Sequence, residues 1–461
     1  MNISFLQELF SNITRRDALL RRRTDDRTHF VHTHLLEACR ALLQSDGEAS
    51  SIALASRALD IYARLDAAEK QRFFERLTAE FSADPVAVDA AYATYRETRD
   101  NRDLQVLFDA CEPSRQELLR RLNLTSGGTH ELVHMREDLL DLLRDQPELR
   151  AVDADFAHLF GSWFNRGFLV LKRMDWNTPA AILEKLIRYE AVHEIHDWND
   201  LRRRLDDRDR RCFAFFHPAI GDEPLIFVEV ALHKGLPDQI QAIIDPDTYD
   251  IEDPEAADTA AFFGISNCQT GLRGTSFGNF LIKQVVQELK QELPDLKHFV
   301  TLSPVPGFRA WLEATYLEPN RDKEVDKGSP LDTEALALLE ALDDPGWPKD
   351  KERSERLGDL VKPLAARYLL EEKNARGLPL NPVARFHLGN GAELHRLNWL
   401  GDVSRKGMQQ SAGLMVNYLY VLDNIERNHE QYITSGTIAH SSAVRDLNRR
   451  ARKLLKGETA K

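Results

Sequence analysis

Apolar residues recur at three- and four-residue spacing from the start of the chain to about residue 155, with almost no strand-like alternation, and predict helix after helix. Leu35, Leu36, Cys39, Leu42 and Leu43 make one stripe; Leu54, Leu59, Ile61 and Leu65 contribute to a second. Asp84 before Pro85 is a helix start, because aspartate caps free N–H groups and proline at the first helical position loses no hydrogen bond. Pro113 with Ser114 marks another start, and Ser126-Gly127-Gly128 breaks the chain before HELVHMREDLLDLLRD. From 156 to 211 the pattern stays helical but gains aromatics, among them Trp163, Phe164, Phe168, Trp176 and Trp198.

The period changes at 212. CFAFF (212–216) and PLIFVEVALH (224–233) alternate and carry β-branched residues, AFFGISNC follows an acidic loop, and HFVTLS closes the series. Four strands, with a helix between the last two, predict an α+β fold with a sheet of mixed direction. Beyond Ser303 the pattern is helical again in FRAWLEATYL, passes a polar loop at DKEVDKGSPL, and gives helices around 332–342 and 356–373. Asn381-Pro382 reads as a turn, VARFHL as a strand bearing His387, and Asn390-Gly391 as a tight turn. GLMVNYLYVLDNIERNHEQYI and the basic SAVRDLNRRARKLLKG read as two closing helices. With 461 residues two domains are expected: a helical one over 1–155 and a mixed one over 156–461.

A net charge of −13 argues against sequence-independent nucleic-acid binding, which needs a dominant positive field. The run LRRRLDDRDRRC at 201–212 interleaves both signs and reads as a solvated helix end, with contact of one or two arginines to a ligand phosphate as the minority reading; Arg21–Arg23 and the last basic helix read as solvated too. Cys39, Cys111, Cys212 and Cys268 show no CxxC spacing, which implies reduced thiols rather than zinc ligands or disulfides. His32 and His34, two apart on a helix, point in different directions and make no metal pair. No stretch approaches 18 uninterrupted apolar residues and the first residues lack the order of a signal peptide, so a soluble cytoplasmic protein without a membrane partner is expected. The helical domain carries few candidate site residues, and an oligomer interface is its expected role.

The chemistry concentrates between Phe262 and Phe308. LRGTSFGNFLIKQV sets Gly274 and Gly278 at a tight turn where a helix must start, so that backbone N–H groups can meet a pyrophosphate; Arg273 adds a cation, Thr275 and Ser276 add hydroxyls. It is neither a Walker A loop nor a dinucleotide fingerprint, and by itself a structural turn would explain it as well. It resembles the acyl-CoA loop of GNAT acyltransferases, roughly R-G-x-G-x-G before an apolar helix, with Ser276 in place of the middle glycine. SPVPGF from Ser303, NPVARFHLGNGAELHRLNW with His387, and GLMVNYLY ending at Tyr420 together resemble the malonyl-CoA decarboxylase family over nearly the whole chain.

That resemblance implies a helical N-terminal domain, a GNAT-like catalytic domain and malonyl-CoA as substrate, with Ser303 and His387 as the catalytic pair. It also implies that Tyr420 lines the acyl pocket and that Arg273, Gly274, Thr275, Ser276, Phe277, Gly278 and Asn279 cradle the CoA pyrophosphate. Animal members carry a glutamate where this chain has Ser276, so a carboxylate role there does not transfer. A role in fatty acid metabolism and a homo-oligomer, dimer or tetramer, are further expectations. Loss of CO2 from a malonyl thioester leaves an enolate, so the site must stabilise the thioester oxygen and return a proton to carbon. The N–H groups of FFGISN are candidates for the first task, and a histidine, with a pKa of about 6.5, for the second. The thioester is itself the electron sink, so no metal or organic cofactor is expected. His298 and His395 read as structural. Amine-dependent GNAT-type acyl transfer and non-catalytic acyl-CoA sensing are the competing readings.

Overall fold

The computed structural model describes residues 27–247, 251–275, 281–318, 331–344 and 346–456. The chain divides into two compact units. One holds the residues up to Asn165 together with Ala219–Gly221 and Gln269–Thr275, and the other holds the remainder.

The first unit is helical: α1 (Arg27–Leu43), α2 (Glu48–Tyr62), α3 (Ala67–Glu80), α4 (Pro85–Thr98), α5 (Asn101–Cys111), α6 (Ser114–Leu122), α7 (Gly128–Leu142) and α8 (Arg150–Trp163). Local signals set the boundaries. Asp66 and Glu69 form a capping box at the start of α3, Asp84 caps α4 with Pro85 in its first turn, and Gly127 enters α7 at φ 76°. Leu35, Leu36, Cys39 and Leu42 are buried as the stripe predicts, beside Phe73, Phe74, Leu118, Leu132, Phe156 and Phe160. The hairpin of α4 and α5 departs from this pattern. Ala91 is the one buried residue of α4 and α5 has none, while Val86 and Phe108 are 75% and 70% exposed.

The second unit is built on an eight-stranded sheet in the order β1-β2-β3-β4-β5-β8-β6, with β7 also paired to β8. Its elements are β1 (Val170–Met174), α9 (Ala180–Tyr189), α10 (Trp198–Asp206), β2 (Arg210–Phe216), β3 (Pro224–His233), α11 (Gln241–Ile244), β4 (Thr259–Asn267), α12 (Leu281–Glu292), β5 (His298–Thr301), β6 (Ser303–Pro304), α13 (Phe308–Leu312), α14 (Thr333–Glu340), α15 (Lys351–Leu370), α16 (Pro382–Gly389), β7 (Glu393–Asn398), α17 (Arg405–Ser411), β8 (Met415–Leu419), α18 (Ile425–Ser435) and α19 (Ser442–Leu454). β2 and β3 form an antiparallel hairpin, and β4 and β5 pair in parallel. The molecule is thus α+β, a helical region followed by a mixed sheet.

Several expectations are corrected. VLKRM is strand β1, not helix: it lies at the sheet edge and is exposed at three of its five positions, so its cations obscure the alternation. GLMVNYL is likewise strand. β8 lies between neighbours on both sides and is buried almost throughout, and a continuously buried strand has no period-2 signature to separate it from helix. NPVARFHLG is helix α16 rather than turn and strand; Asn381 accepts from Ala384 N as its N-cap and Pro382 occupies the first position, which is a helix-start pair.

The 201–212 run is not wholly solvated. Arg204, Arg210 and Arg211 are buried. Arg204 pairs with Asp200 and Glu229 and donates to the His193 and Glu194 carbonyls, and burial pushes the Glu229 carboxyl up to about 8. The last helix, α19, packs on α15, with Arg452 and Asn448 both donating to Glu371. Arg21–Arg23 and most of DKEVDKGSPL lie outside the described residues.

Candidate active site

β5 ends at Thr301, the chain steps aside at Leu302, whose N–H donates to the Phe262 carbonyl at 2.8 Å, and Ser303 resumes as β6. β8 holds both pieces in a single register, Val300 opposite Leu419 and Ser303 opposite Val416. This sets Thr301, Ser303, Tyr418 and Tyr420 close together from two chain segments. The fifth participant, His387, comes from α16, whose N-cap Asn381 also donates through Nδ2 to the Pro306 carbonyl at 2.9 Å. The SPVPGF and NPVARFH motifs are tied to each other by that bond.

The result is a hydrogen-bonded chain of buried side chains. His387 Nε2 lies 3.1 Å from Ser303 Oγ and His387 Nδ1 lies 2.9 Å from the Tyr420 hydroxyl. Ser303 Oγ donates to Thr301 Oγ1 at 2.9 Å, and Thr301 Oγ1 also accepts the Tyr418 N–H at 3.1 Å. The Tyr418 ring stacks on the imidazole at 4.6 Å, with Phe386 edge-on at 5.1 Å. Ser303, His387 and Tyr420 are 6%, 3% and 2% exposed.

Burial brings the His387 pKa down from its ordinary value to about 3 and pushes the Tyr420 phenol well above its ordinary range. The resting site is therefore uncharged. A protonated phenol beside a neutral imidazole donates to Nδ1, which puts the ring hydrogen on Nε2, facing Ser303 Oγ, while the serine hydrogen faces Thr301. Thr301 and Tyr418 escaped sequence reasoning. The hydroxyl two residues before Ser303 in HFVTLS was the available signal for Thr301.

Arg273, Gly274 and Thr275 belong to the first unit; Ser276, Phe277, Gly278 and Asn279 lie outside the described residues. Thr270–Leu272 is a single 3-10 turn and Gly274 follows at φ +79°, a backbone conformation that needs glycine. Arg273 and Gly274 are exposed, the Gly274 N–H has no partner among the described residues, and the buried Thr275 Oγ1 has none either. Unsatisfied donors of this kind, next to an exposed arginine, suit an anion.

Beyond Phe262 the edge of β4 that faced β5 carries no strand partner among the described residues. His395 bonds Glu393. In HELVH the His130 and His134 Nε2 atoms face each other at 3.2 Å, yet no group of three ligands forms among the described residues, fewer than a catalytic zinc requires.

The family comparisons agree with this geometry. The model of the malonyl-CoA decarboxylase C-terminal domain matches residues 167–459, and that of the N-terminal domain matches 81–164. This chain belongs to the malonyl-CoA decarboxylase family. It is 35% identical to the mitochondrial malonyl-CoA decarboxylase of Rattus norvegicus over 408 residues, 83% of this chain and 82% of the relative. The crystal structure of malonyl-CoA decarboxylase from Rhodopseudomonas palustris superposes with a TM-score of 0.85 at 52% identity, covering 90% of this chain and 99% of the other. That from Cupriavidus metallidurans gives 0.69 at 36% identity, covering 92% and 100%. Malonyl-CoA decarboxylase membership thus extends over both units, and among the described residues no helix is long and apolar enough to cross a membrane.

Proposed function

We propose that this protein is a carboxy-lyase that converts malonyl-CoA to acetyl-CoA and CO2, and that Ser303, His387 and Tyr420 carry the proton chemistry. The observation that supports the reading is the continuous Tyr420–His387–Ser303 hydrogen-bonded chain in a member of this family. In the reaction the bond between Cα and the carboxylate breaks, its electron pair moves onto the thioester as an enolate, and CO2 leaves. The enolate carbon then takes a proton and the carbonyl re-forms.

Both ring nitrogens of His387 are engaged, so the imidazole reaches substrate through Ser303: the serine Oγ gives its hydrogen to carbon and is resupplied from Nε2. The overall reaction consumes one proton from solvent. The arriving malonyl carboxylate makes that proton easier for the neutral His387 to accept, a unit charge about 4 Å away being worth roughly 4 kcal/mol at an effective dielectric of 20, and the ring takes it up after binding, on the way to the enolate. Tyr420 fits both states, donating to Nδ1 of the neutral ring and accepting from Nδ1–H of the cation. N–H groups of the Phe262–Ser266 stretch of β4 would receive the enolate oxygen, and the turn at Arg273–Asn279 would hold the CoA pyrophosphate.

No metal or organic cofactor enters these steps, because the thioester accepts the electron pair; turnover unchanged by a chelator is the expected result. The helical unit is proposed to assemble the homo-oligomer, for which the uncovered α4–α5 hairpin is the supporting feature. A cytoplasmic location is proposed from the four unpaired cysteines, with cell fractionation as its check and a mitochondrial fraction as the opposing result. The deciding experiment is incubation of purified protein with malonyl-CoA alone, followed by mass spectrometry. Acetyl-CoA and CO2 without an acceptor support the proposal; strict dependence on an amine, or binding without turnover, overturns it.

A further inference from the structure

The helical unit includes a short segment from outside the N-terminal helices. Gln269–Thr275 follows β4 in sequence, yet it packs as part of the helical unit, against α7. Gly271 is buried there so closely that a Cβ would lie 1.9 Å from the Val133 carbonyl oxygen of α7. One turn further along α7, Arg136 is 3% exposed. Its Nη1 donates to the carbonyls of both Gly271 and Arg273, at 2.9 and 3.0 Å. Its Nε donates to Asp153 of α8 at 2.8 Å, and its guanidinium lies over the Phe160 ring.

These contacts dictate an orientation. The peptide joining Arg273 to Gly274 is trans, as there are no cis bonds among the described residues, so its N–H points opposite to its C=O. With that C=O turned in toward Arg136, the Gly274 N–H is turned outward, and it is left without a partner among the described residues. Tying two carbonyls to a buried cation also removes negative ends of peptide dipoles from the place where a phosphate would sit.

We propose that Arg136 is a positioning residue for the acyl-CoA substrate: from α7 it holds the turn at Gly271–Gly274 so that its N–H groups face the pyrophosphate. This rests on the reading that the turn binds CoA, and the test separates the two. The full-length protein is assayed with malonyl-CoA and with malonyl-pantetheine, which carries the same reacting group but lacks the pyrophosphate and nucleotide. Arg136→Met is expected to raise KM for malonyl-CoA by ~10- to 100-fold, the scale of a displacement of about 1 Å at a bound group, with kcat little changed. Turnover of malonyl-pantetheine is expected to match the wild type, and Arg136→Lys, which keeps a donor and the charge, to recover part of the loss.

Gly271→Ala leaves the Arg136–Asp153 pair in place but forces the turn off Val133. It should give the same selective rise in KM, which keeps the proposal testable if Arg136→Met does not fold. Equal losses on both substrates in the variants would make Arg136 a residue of the fold alone and overturn the proposal. A wild-type protein that handles both substrates with equal kcat/KM would instead overturn the CoA-turn reading on which it rests.

Discussion

Tyr420→Phe removes a single oxygen and isolates the role of the phenol. The hydroxyl lies 2.9 Å from His387 Nδ1 in a place where Tyr420 is 2% exposed, and no larger side chain is created. In the neutral resting state the change leaves Nδ1 buried without a donor, and in the protonated state it leaves an Nδ1–H of a cation without an acceptor. A hydrogen bond to a charged group contributes about 1.5–3 kcal/mol and one between neutral groups about 0.5–1.5 kcal/mol. The protonated state, which the reaction must pass through, therefore loses about 1–2 kcal/mol more than the resting state.

Each 1.36 kcal/mol is a factor of ten in rate, so kcat should fall by roughly 5- to 30-fold. KM should stay near the wild-type value, because the phenol acts through His387 and not on substrate. Initial rates of acetyl-CoA release over a range of malonyl-CoA, with a melting curve as control, give both constants. A Tyr420→Phe protein with unchanged kcat and a raised KM would show that the phenol lines the acyl pocket, as the family resemblance implies, and would refute its service to the imidazole.

Three further outcomes follow from the geometry. Burial holds the His387 pKa at about 3 against about 6.5 in the unfolded chain. The stability that depends on the neutral ring is thus complete above pH ~6.5 and lost as the pH falls toward the folded value. His387→Asn should therefore lose about 2 kcal/mol less than wild type between pH 7.5 and pH 5 in urea titrations; identical losses would contradict a buried neutral imidazole. Thr301→Val removes the acceptor that orients the Ser303 hydroxyl and should lower kcat by ~10-fold, the worth of one hydrogen bond, with Thr301→Ser restoring it; a Ser variant as slow as the Val variant would contradict this. Phe108→Glu on α5 should shift the assembly to a lighter species in light scattering without lowering the melting temperature, and a monomeric wild type would dispose of the hairpin as an interface.

Periodicity made the helical unit legible because its helices other than the α4–α5 pair bury one stripe each, as Leu35, Leu36, Cys39 and Leu42 do. It made β2 to β5 legible because β-branched and aromatic residues there are bounded by proline and glycine. It failed at β8, where Met415–Tyr418 are all buried and no polar face exists to reveal the period. It failed at α16 for a different reason: over six residues VARFHL happens to alternate, and the cap at Asn381-Pro382 was the stronger signal. Ser303, His387 and Tyr420 were found through motifs whose spacing bears no relation to distance in space. Thr301 and Arg136 carry no motif; their parts become visible only when Ser303 Oγ and the carbonyls of the CoA turn acquire partners.

The single register that β8 shares with β5 and β6 also bears on when the site comes into being. The site joins residues 117 positions apart at Tyr418–Thr301 and 84 apart at Ser303–His387, so the closure of long loops precedes any catalytic geometry. Such non-local pairings form late in folding. A nascent or refolding chain thus acquires its helices, and the hairpin of β2 and β3, well before it acquires a hydroxyl beside an imidazole. Until β8 docks, no hydroxyl stands beside the imidazole and the chain is chemically silent.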